Sequence, residues 1–268
     1  DHIGPMTRSV RDAARMLGVI AGRDLQDVTS LSAPIDDYEA ALARGVRGLK
    51  IGWDEAYATS NVEPYVAAAM RNAISQLASA GAQIVDIKVP GFEADELAAW
   101  NTLAATEAAA VHATTYPAKQ HEYGVYFREF LEAGRQTSAI ELTNAIFARK
   151  RACGRIAPVF DTIDCLLSPT LASESFRYNV EDAYGGIDMA KGTLAGVPLD
   201  FLARNTPFIV IWDFNGYPTL SLPCGFSPDG IPLSMQLVAA PLNESMLCRV
   251  GHAFEQSNDF HLQHPALS

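Results

Sequence analysis

Apolar residues recur at helical spacing in some stretches of this chain and at strand spacing in others, and the two alternate along it. From Ser9 to Ala21 the residues Val10, Ala14, Leu17 and Ala21 fall on one stripe. Ser9 and Asp12 form a Ser-x-x-Asp cap ahead of that stripe, and Gly22 ends it, so the pattern predicts a helix. Residues 23–48 are polar and Asp-rich, with at most a short helix near Tyr38–Ala43. Leu49 to Trp53 reads as a strand, Glu63 to Ala80 as a helix with Val66, Met70, Ala73 and Leu77 on one face, and Gln83 to Val89 as a second strand. Strand, helix and strand at this length predict a crossover with parallel strands, which places the chain in the α/β class.

Helical patterns follow from about Glu93 to His112 and Tyr123 to Ala133. A longer one opens at Ser138, with Glu141 completing a capping box, and runs to about Ala157. Cys165-Leu166-Leu167 is a short buried strand ended by Ser168-Pro169-Thr170. Residues 171–205 read as loop-rich, with Gly185-Gly186 and Gly192 among aromatic and polar groups. Leu220 to Pro223 and Leu233 to Ala239 read as two strands around the tight-turn sequence Pro228-Asp229-Gly230, which predicts a hairpin. Asn243 is placed to cap a closing helix carrying Met246, Leu247, Val250 and Phe254.

Composition narrows the function. With 49% apolar and 19% charged residues, the 268-residue chain has the means to build a core. Its net charge of −11 would repel nucleic acid and anionic membrane surfaces, so neither is an expected partner. No apolar run reaches the roughly 18–20 residues that a membrane-crossing helix needs. Cys153, Cys165, Cys224 and Cys248 are widely spaced and read as buried small hydrophobes of a reduced, cytoplasmic protein.

Self-contained chemistry is hard to find. There is no Gly-x-Ser-x-Gly elbow, no Gly-x-Gly-x-x-Gly and no His-Glu-x-x-His. Lys191, between Gly186 and Gly192, lacks the spacing of a phosphate loop. His261 and His264 have no third ligand nearby, so no metal or cofactor is expected. Cys224 follows a strand but has no histidine near it, and Gln236 reads as a strand residue. Arg149, Lys150, Arg151 and Arg155 sit at helix-surface spacing and read as a solvated face.

Three stretches nevertheless resemble the amidase signature family of serine hydrolases. They are Asp1-His2-Ile3-Gly4-Pro5-Met6-Thr7-Arg8 running into Val10, Asp12 and Ala13; Asp164-Cys-Leu-Leu-Ser-Pro-Thr170; and Asn215-Gly-Tyr-Pro-Thr-Leu-Ser-Leu-Pro-Cys-Gly225 with Gly230-Ile-Pro-Leu-Ser-Met-Gln-Leu-Val238. Their order and separation fit the family, as does Ala253-Phe254-Glu255-Gln256. The resemblance implies a mixed β-sheet flanked by helices and hydrolysis of a carboxamide by a Ser-Ser-Lys triad. In that chemistry a lysine deprotonates a bridging serine, the bridging serine activates the nucleophile, and Gly/Ser-rich backbone N–H groups hold the oxyanion.

No position here matches the triad or its Gly/Ser-rich segment, so no catalytic residue is carried over. Residues 1–268, which open on Asp1 without a methionine, are therefore expected to be the downstream portion of one amidase-signature domain that needs its upstream segment. The resemblance places the substrate cleft along Asn205–Asn215 and makes Thr206, Trp212 and Asp213 the candidate substrate-binding residues. Asp213 stands where the family often has Asn, and Trp212 where it has Phe or Val. Thr206 stands nearest the Asp that grips the glutamine ammonium in the A-type component of the glutamine-dependent tRNA amidotransferase, and it cannot hold a cation that way. The implied function is a simple amidase acting on a small-molecule amide. The alternatives are that amidotransferase component or a non-catalytic scaffold of the same fold, and a homodimer is compatible with any of the three.

Overall fold

The computed structural model describes residues 3–264, so Asp1 and His2 of the opening motif lie outside the described residues. The chain begins with α1 (Val10–Ile20) and α2 (Tyr38–Ala41), then β1 (Lys50–Trp53), α3 (Glu55–Thr59), α4 (Pro64–Ser79) and β2 (Gln83–Asp86). Next come α5 (Ala94–Val111), α6 (Val125–Gln136), α7 (Ala139–Phe160) and β3 (Cys165–Pro169). The short strands β4 (Ile187–Asp188), β5 (Thr193–Leu194) and β6 (Val197–Pro198) precede α8 (Leu199–Asn215). The hairpin β7 (Thr219–Phe226) and β8 (Pro232–Val238) and the helix α9 (Glu244–Glu255) complete it. No helix among the described residues is long and apolar enough to cross a membrane.

Two compact units divide these elements, one holding Pro90–Ile156 with Ser175–Asn215 and the other the remaining segments. The second unit is built on a five-stranded sheet in the order β2-β1-β3-β8-β7. β1 runs parallel to both β2 and β3, whereas β8 is antiparallel to both β3 and β7. The sheet is therefore mixed, as the family resemblance implies. α4 lays Val66, Met70, Ala73 and Leu77 on this sheet, and all four are buried. Burying a side chain the size of Met70 or Leu77 contributes roughly 1.5–3 kcal/mol. At α1 the Ser9 hydroxyl accepts from the Asp12 N–H at 3.1 Å, and the buried Glu255 carboxylate of α9 accepts from the Val10 N–H at 3.0 Å. That contact sets a negative charge at a helix N-terminus, where the backbone dipoles favour it.

Pairing of β2 stops at Asp86 although the apolar pattern continues to Val89, because Asp54 takes over the backbone beyond it. Asp54 Oδ2 accepts from the Val89 N–H at 2.9 Å, and Oδ1 accepts from Lys88 Nζ at 3.0 Å and from the Ala56 and Tyr57 N–H groups. The last two bonds cap α3, a short helix the periodicity does not indicate.

In the other unit, α5 and α6 touch backbone to backbone. A Cβ on Gly134 would lie 2.0 Å from the Ala105 carbonyl oxygen, so only glycine fits there. The Ser138/Glu141 capping box forms at the start of α7, with Ser138 N–H to Glu141 Oε2 at 2.8 Å. A second box, Glu93/Glu96, opens α5.

Two expectations are amended. Residues 171–205 are loop-rich as far as Pro198, but β4, β5 and β6 pair there as a small antiparallel sheet and α8 starts at Leu199. Asn243 precedes α9 as expected, but its side chain makes no capping hydrogen bond. On the basic face of α7, Arg149, Lys150 and Arg151 are exposed as expected and Arg155 is half-buried, and the face also makes specific pairs. Arg151 pairs with Asp95 at 3.2 Å, Arg155 with the buried Glu96 and with Glu93, and Arg149 with a backbone carbonyl, because acids of α5 and the end of α8 lie opposite.

Asp54 carries a pH dependence. Burial pushes its carboxyl up, but the Val89 N–H, the Lys88 ammonium and the Tyr57 N–H outweigh that and hold it below its ordinary value. Its stabilising contribution is therefore complete above the unfolded-state pKa, about 3.9, and is lost as pH falls through the lower folded value. Replacing Asp54 by Ala is expected to cost about 1–3 kcal/mol at neutral pH. Thermal melts across pH 2–7 check this: Asp54→Asn should flatten the acid limb, and an unchanged limb would assign it to other carboxylates.

Candidate functional site

The three residues singled out for substrate contact all lie on α8, within the helical unit. At about 100° per residue, Thr206 and Asp213 are seven positions apart and share a face, whereas Trp212 is turned away from Asp213 by one step. The helix thus brings Thr206 and Asp213 onto one line roughly 10 Å long and sets Trp212 beside it. The Thr206 hydroxyl donates to the Leu202 carbonyl at 2.9 Å, so its proton is used within the helix. Trp212 is only 2% exposed and half-buried Asp213 is not, so the carboxylate is the more accessible of the pair. Asp213 Oδ2 accepts from the indole Nε1–H of Trp100 on α5 at 2.5 Å.

The last turn of α8 is held from α5 and α7. Phe214 sits in a small cluster with Ala99 of α5 and with Ala145, Ala148 and Ala152 of α7, and it meets Phe92 edge-on at 6.4 Å. The alanines, three and four apart, form a small-residue stripe that lets the helices approach. Beside that stripe Arg149 Nε donates to the Phe214 carbonyl at 2.7 Å, and Cys153 Sγ lies 3.6 Å from the Asn215 carbonyl. Both carbonyls belong to the four that end an α-helix without partners of their own. Asn215 Nδ2 donates to the Ile211 carbonyl at 2.6 Å. Gly216 follows with φ +72°, which carries the chain off the helix in a conformation that other residues adopt reluctantly.

Arg149 and Cys153 also line a cleft of about 670 Å³ whose walls are mainly apolar, with Leu103 and Ala110 of α5 facing Leu142 and Ile146 of α7. Thr206, Trp212 and Asp213 do not line it. Of these neighbours, Trp100 and Cys153 escape a reading of the sequence because their partners lie 113 and 62 positions away. The four-residue spacing of Arg149 and Cys153 beside the alanine stripe is the one available sign.

Other sequence candidates fall away on chemistry. Lys191 Nζ is tied to Asp182 at 2.9 Å, which leaves a poor phosphate cradle. Gln236 Nε2 donates to the Pro169 carbonyl at 3.0 Å within the sheet. Among the described residues no group of three His, Cys, Asp or Glu side chains is disposed to hold a metal ion. Burial pushes the Cys224 thiol up to about 12 and the Cys248 thiol up to about 11, so neither offers a thiolate nucleophile near neutrality.

Comparison with known proteins decides the family. The amidase family model matches residues 1–248. The chain belongs to the amidase family. An amidase of Pseudomonas putida is 35% identical over 267 residues, covering 100% of this chain and 55% of that protein. The A-type component of the glutamyl-tRNA(Gln) amidotransferase of Synechococcus sp. (strain RCC307) is 32% identical over 290 residues, covering 99% of this chain and 56% of that one. This member of the amidase family thus spans a little over half the length of the curated relatives it matches. Its fold matches a bacterial aryl acylamidase of the amidase signature enzymes, with a TM-score of 0.78 at 24% identity over 98% of this chain and 55% of that one. It also matches 6-aminohexanoate cyclic dimer hydrolase, with a TM-score of 0.81 at 22% identity over 97% of this chain and 55% of that one.

The thiol assignment has a direct check. At pH 8 the native protein should react very slowly with iodoacetamide at Cys224 and Cys248, and denaturant should expose all four thiols. Rapid alkylation of native Cys224 would reopen it as a nucleophile.

Proposed function

We propose that this chain is the substrate-side, downstream portion of an amidase that hydrolyses a small-molecule carboxamide to a carboxylate and ammonia or an amine. The family match over residues 1–248 carries the reading. The nucleophile belongs to sequence outside these 268 residues, because no Gly/Ser-rich segment or Ser-Ser-Lys arrangement matches within them. That segment would supply the attacking serine, the bridging serine, the lysine base and the N–H groups that hold the oxyanion. Asp213 and Thr206, which share a face of α8, would meet the amide's side groups and set specificity, and buried Trp212 would act on them only through its packing. The reading needs no metal or cofactor and fits a cytoplasmic enzyme of acidic surface.

A simple amidase is favoured over an amidotransferase component of the A type by Thr206. Its hydroxyl is engaged with the Leu202 carbonyl and carries no charge to hold an ammonium group. The same argument leaves Asp213 as the nearest carboxylate on that face, and it already accepts the Trp100 indole.

The protein extended upstream of Asp1 should hydrolyse carboxamides and be labelled by a serine-directed fluorophosphonate. Residues 1–268 by themselves should show neither. Absence of labelling in the extended protein would favour a non-catalytic scaffold, and turnover by residues 1–268 would place the nucleophile inside them.

A further inference from the structure

We propose that Arg149 and Trp100 are positioning residues that clamp the last turn of α8 and thereby fix the direction of the Asp213 carboxylate; the catalytic part of this proposal rests on the amidase reading above. The need for a clamp follows from the helix itself. Pro207 lies inside α8 and has no N–H to donate, so one backbone hydrogen bond of the preceding turn is missing. At the other end, the carbonyls of the last turn have no intrahelical donors and carry the negative end of the helix dipole. Beyond them Gly216, at φ +72°, turns the chain away. This stretch of α8 therefore lacks backbone hydrogen bonds of its own at both ends.

Donors for the last turn come from the two helices beside it. The Arg149 guanidinium supplies a positive charge at the negative helix end, with Nε donating to the Phe214 carbonyl at 2.7 Å. Such charge-assisted bonds are about twice as strong as neutral ones. Four residues on, Cys153 presents its thiol to the next carbonyl, that of Asn215. Burial pushes this thiol up, which keeps it in the protonated form that can donate. From the other side Trp100 donates its indole N–H to Asp213 Oδ2. Donors from α5 and α7 therefore reach three successive residues, Asp213, Phe214 and Asn215, and the alanine stripe around Phe214 sets their distance. A carboxylate that meets substrate from this turn can point in one direction only while the turn is held.

Hydrogen exchange and kinetics on the upstream-extended protein, in wild type, Arg149→Met, Arg149→Lys and Trp100→Phe, test the clamp. Arg149→Met should speed exchange of the backbone amides from Asp213 to Tyr217 on the order of tenfold, while the interior amides of α5 keep their protection. KM should rise by a similar factor with kcat much less affected, and Arg149→Lys should recover part of the loss. Trp100→Phe keeps an aromatic side chain but loses the donor together with the pyrrole part of the indole, and it leaves Arg149 in place, so it remains informative where Arg149→Met folds poorly. Unchanged exchange in both Arg149→Met and Trp100→Phe would overturn the clamp. Faster exchange with unchanged KM would reduce it to a structural contact and overturn the positioning role. If the wild-type protein hydrolysed no carboxamide, the amidase reading would fall and take the positioning role with it, while the exchange data would still decide the clamp by themselves.

Discussion

The sheet unit depends on one strand, β3, which is buried along all five of its residues. It is also where the two halves of the sheet meet, parallel to β1 on one side and antiparallel to β8 on the other. Complete burial stabilises such a strand strongly and informs its register poorly. Four of its five residues are apolar and only Ser168 is polar, so sliding by one residue would not exchange an apolar face for a polar one, as it would in a half-exposed strand. Register must therefore come from polar groups at the ends. At the start, the Asp164 carboxylate accepts from the Lys50 N–H and the Asp164 N–H donates to the Lys50 carbonyl, both at 2.8 Å. At the far end, buried Gln236 reaches the Pro169 carbonyl. Because an unpaired buried polar group costs about 1–3 kcal/mol, these bonds make the observed pairing the favourable one.

The helical unit solves a related problem by the same means. Packing of Phe214 among alanines brings α8 close to α5 and α7 without specifying how far its last turn is rotated. Polar donors with fixed geometry then choose the rotation, and here they come from Arg149, Cys153 and Trp100. Apolar contact supplies most of the free energy in both units, and a few directional bonds supply the choice among nearly equal packings.

That division explains what could be read in the sequence. The β1-α4-β2 crossover, the β7/β8 hairpin and the α1 and α7 caps rest on local signals within a few residues, and each is legible. α8 is not, because Phe208, Val210, Ile211, Trp212 and Phe214 are all buried and spread round the helix, so no single stripe stands out, while Pro207 reads locally as a breaker. β4, β5 and β6 have two residues each, too few to show any alternation. The basic run on α7 is solvent-facing as its spacing indicates, but its partners are not legible because they lie far away along the chain, as Glu96 does for Arg155 and the Phe214 carbonyl does for Arg149. The candidate residues of α8 come from family resemblance alone, since nothing in their own spacing marks them as a site.

Asp213 shows why the resemblance and the physics must be read together. Its carboxylate is a group that only accepts hydrogen bonds, and the Trp100 indole that it meets only donates. An Asn there would accept the same indole bond but would also bring two donors needing partners in a half-buried place. The carboxylate brings none, and its charge strengthens the bond it accepts. The carboxylate is thus complementary to Trp100 before any substrate is considered. Any specificity it confers would be exerted from a position already set by the protein's own packing, with one oxygen held by the indole.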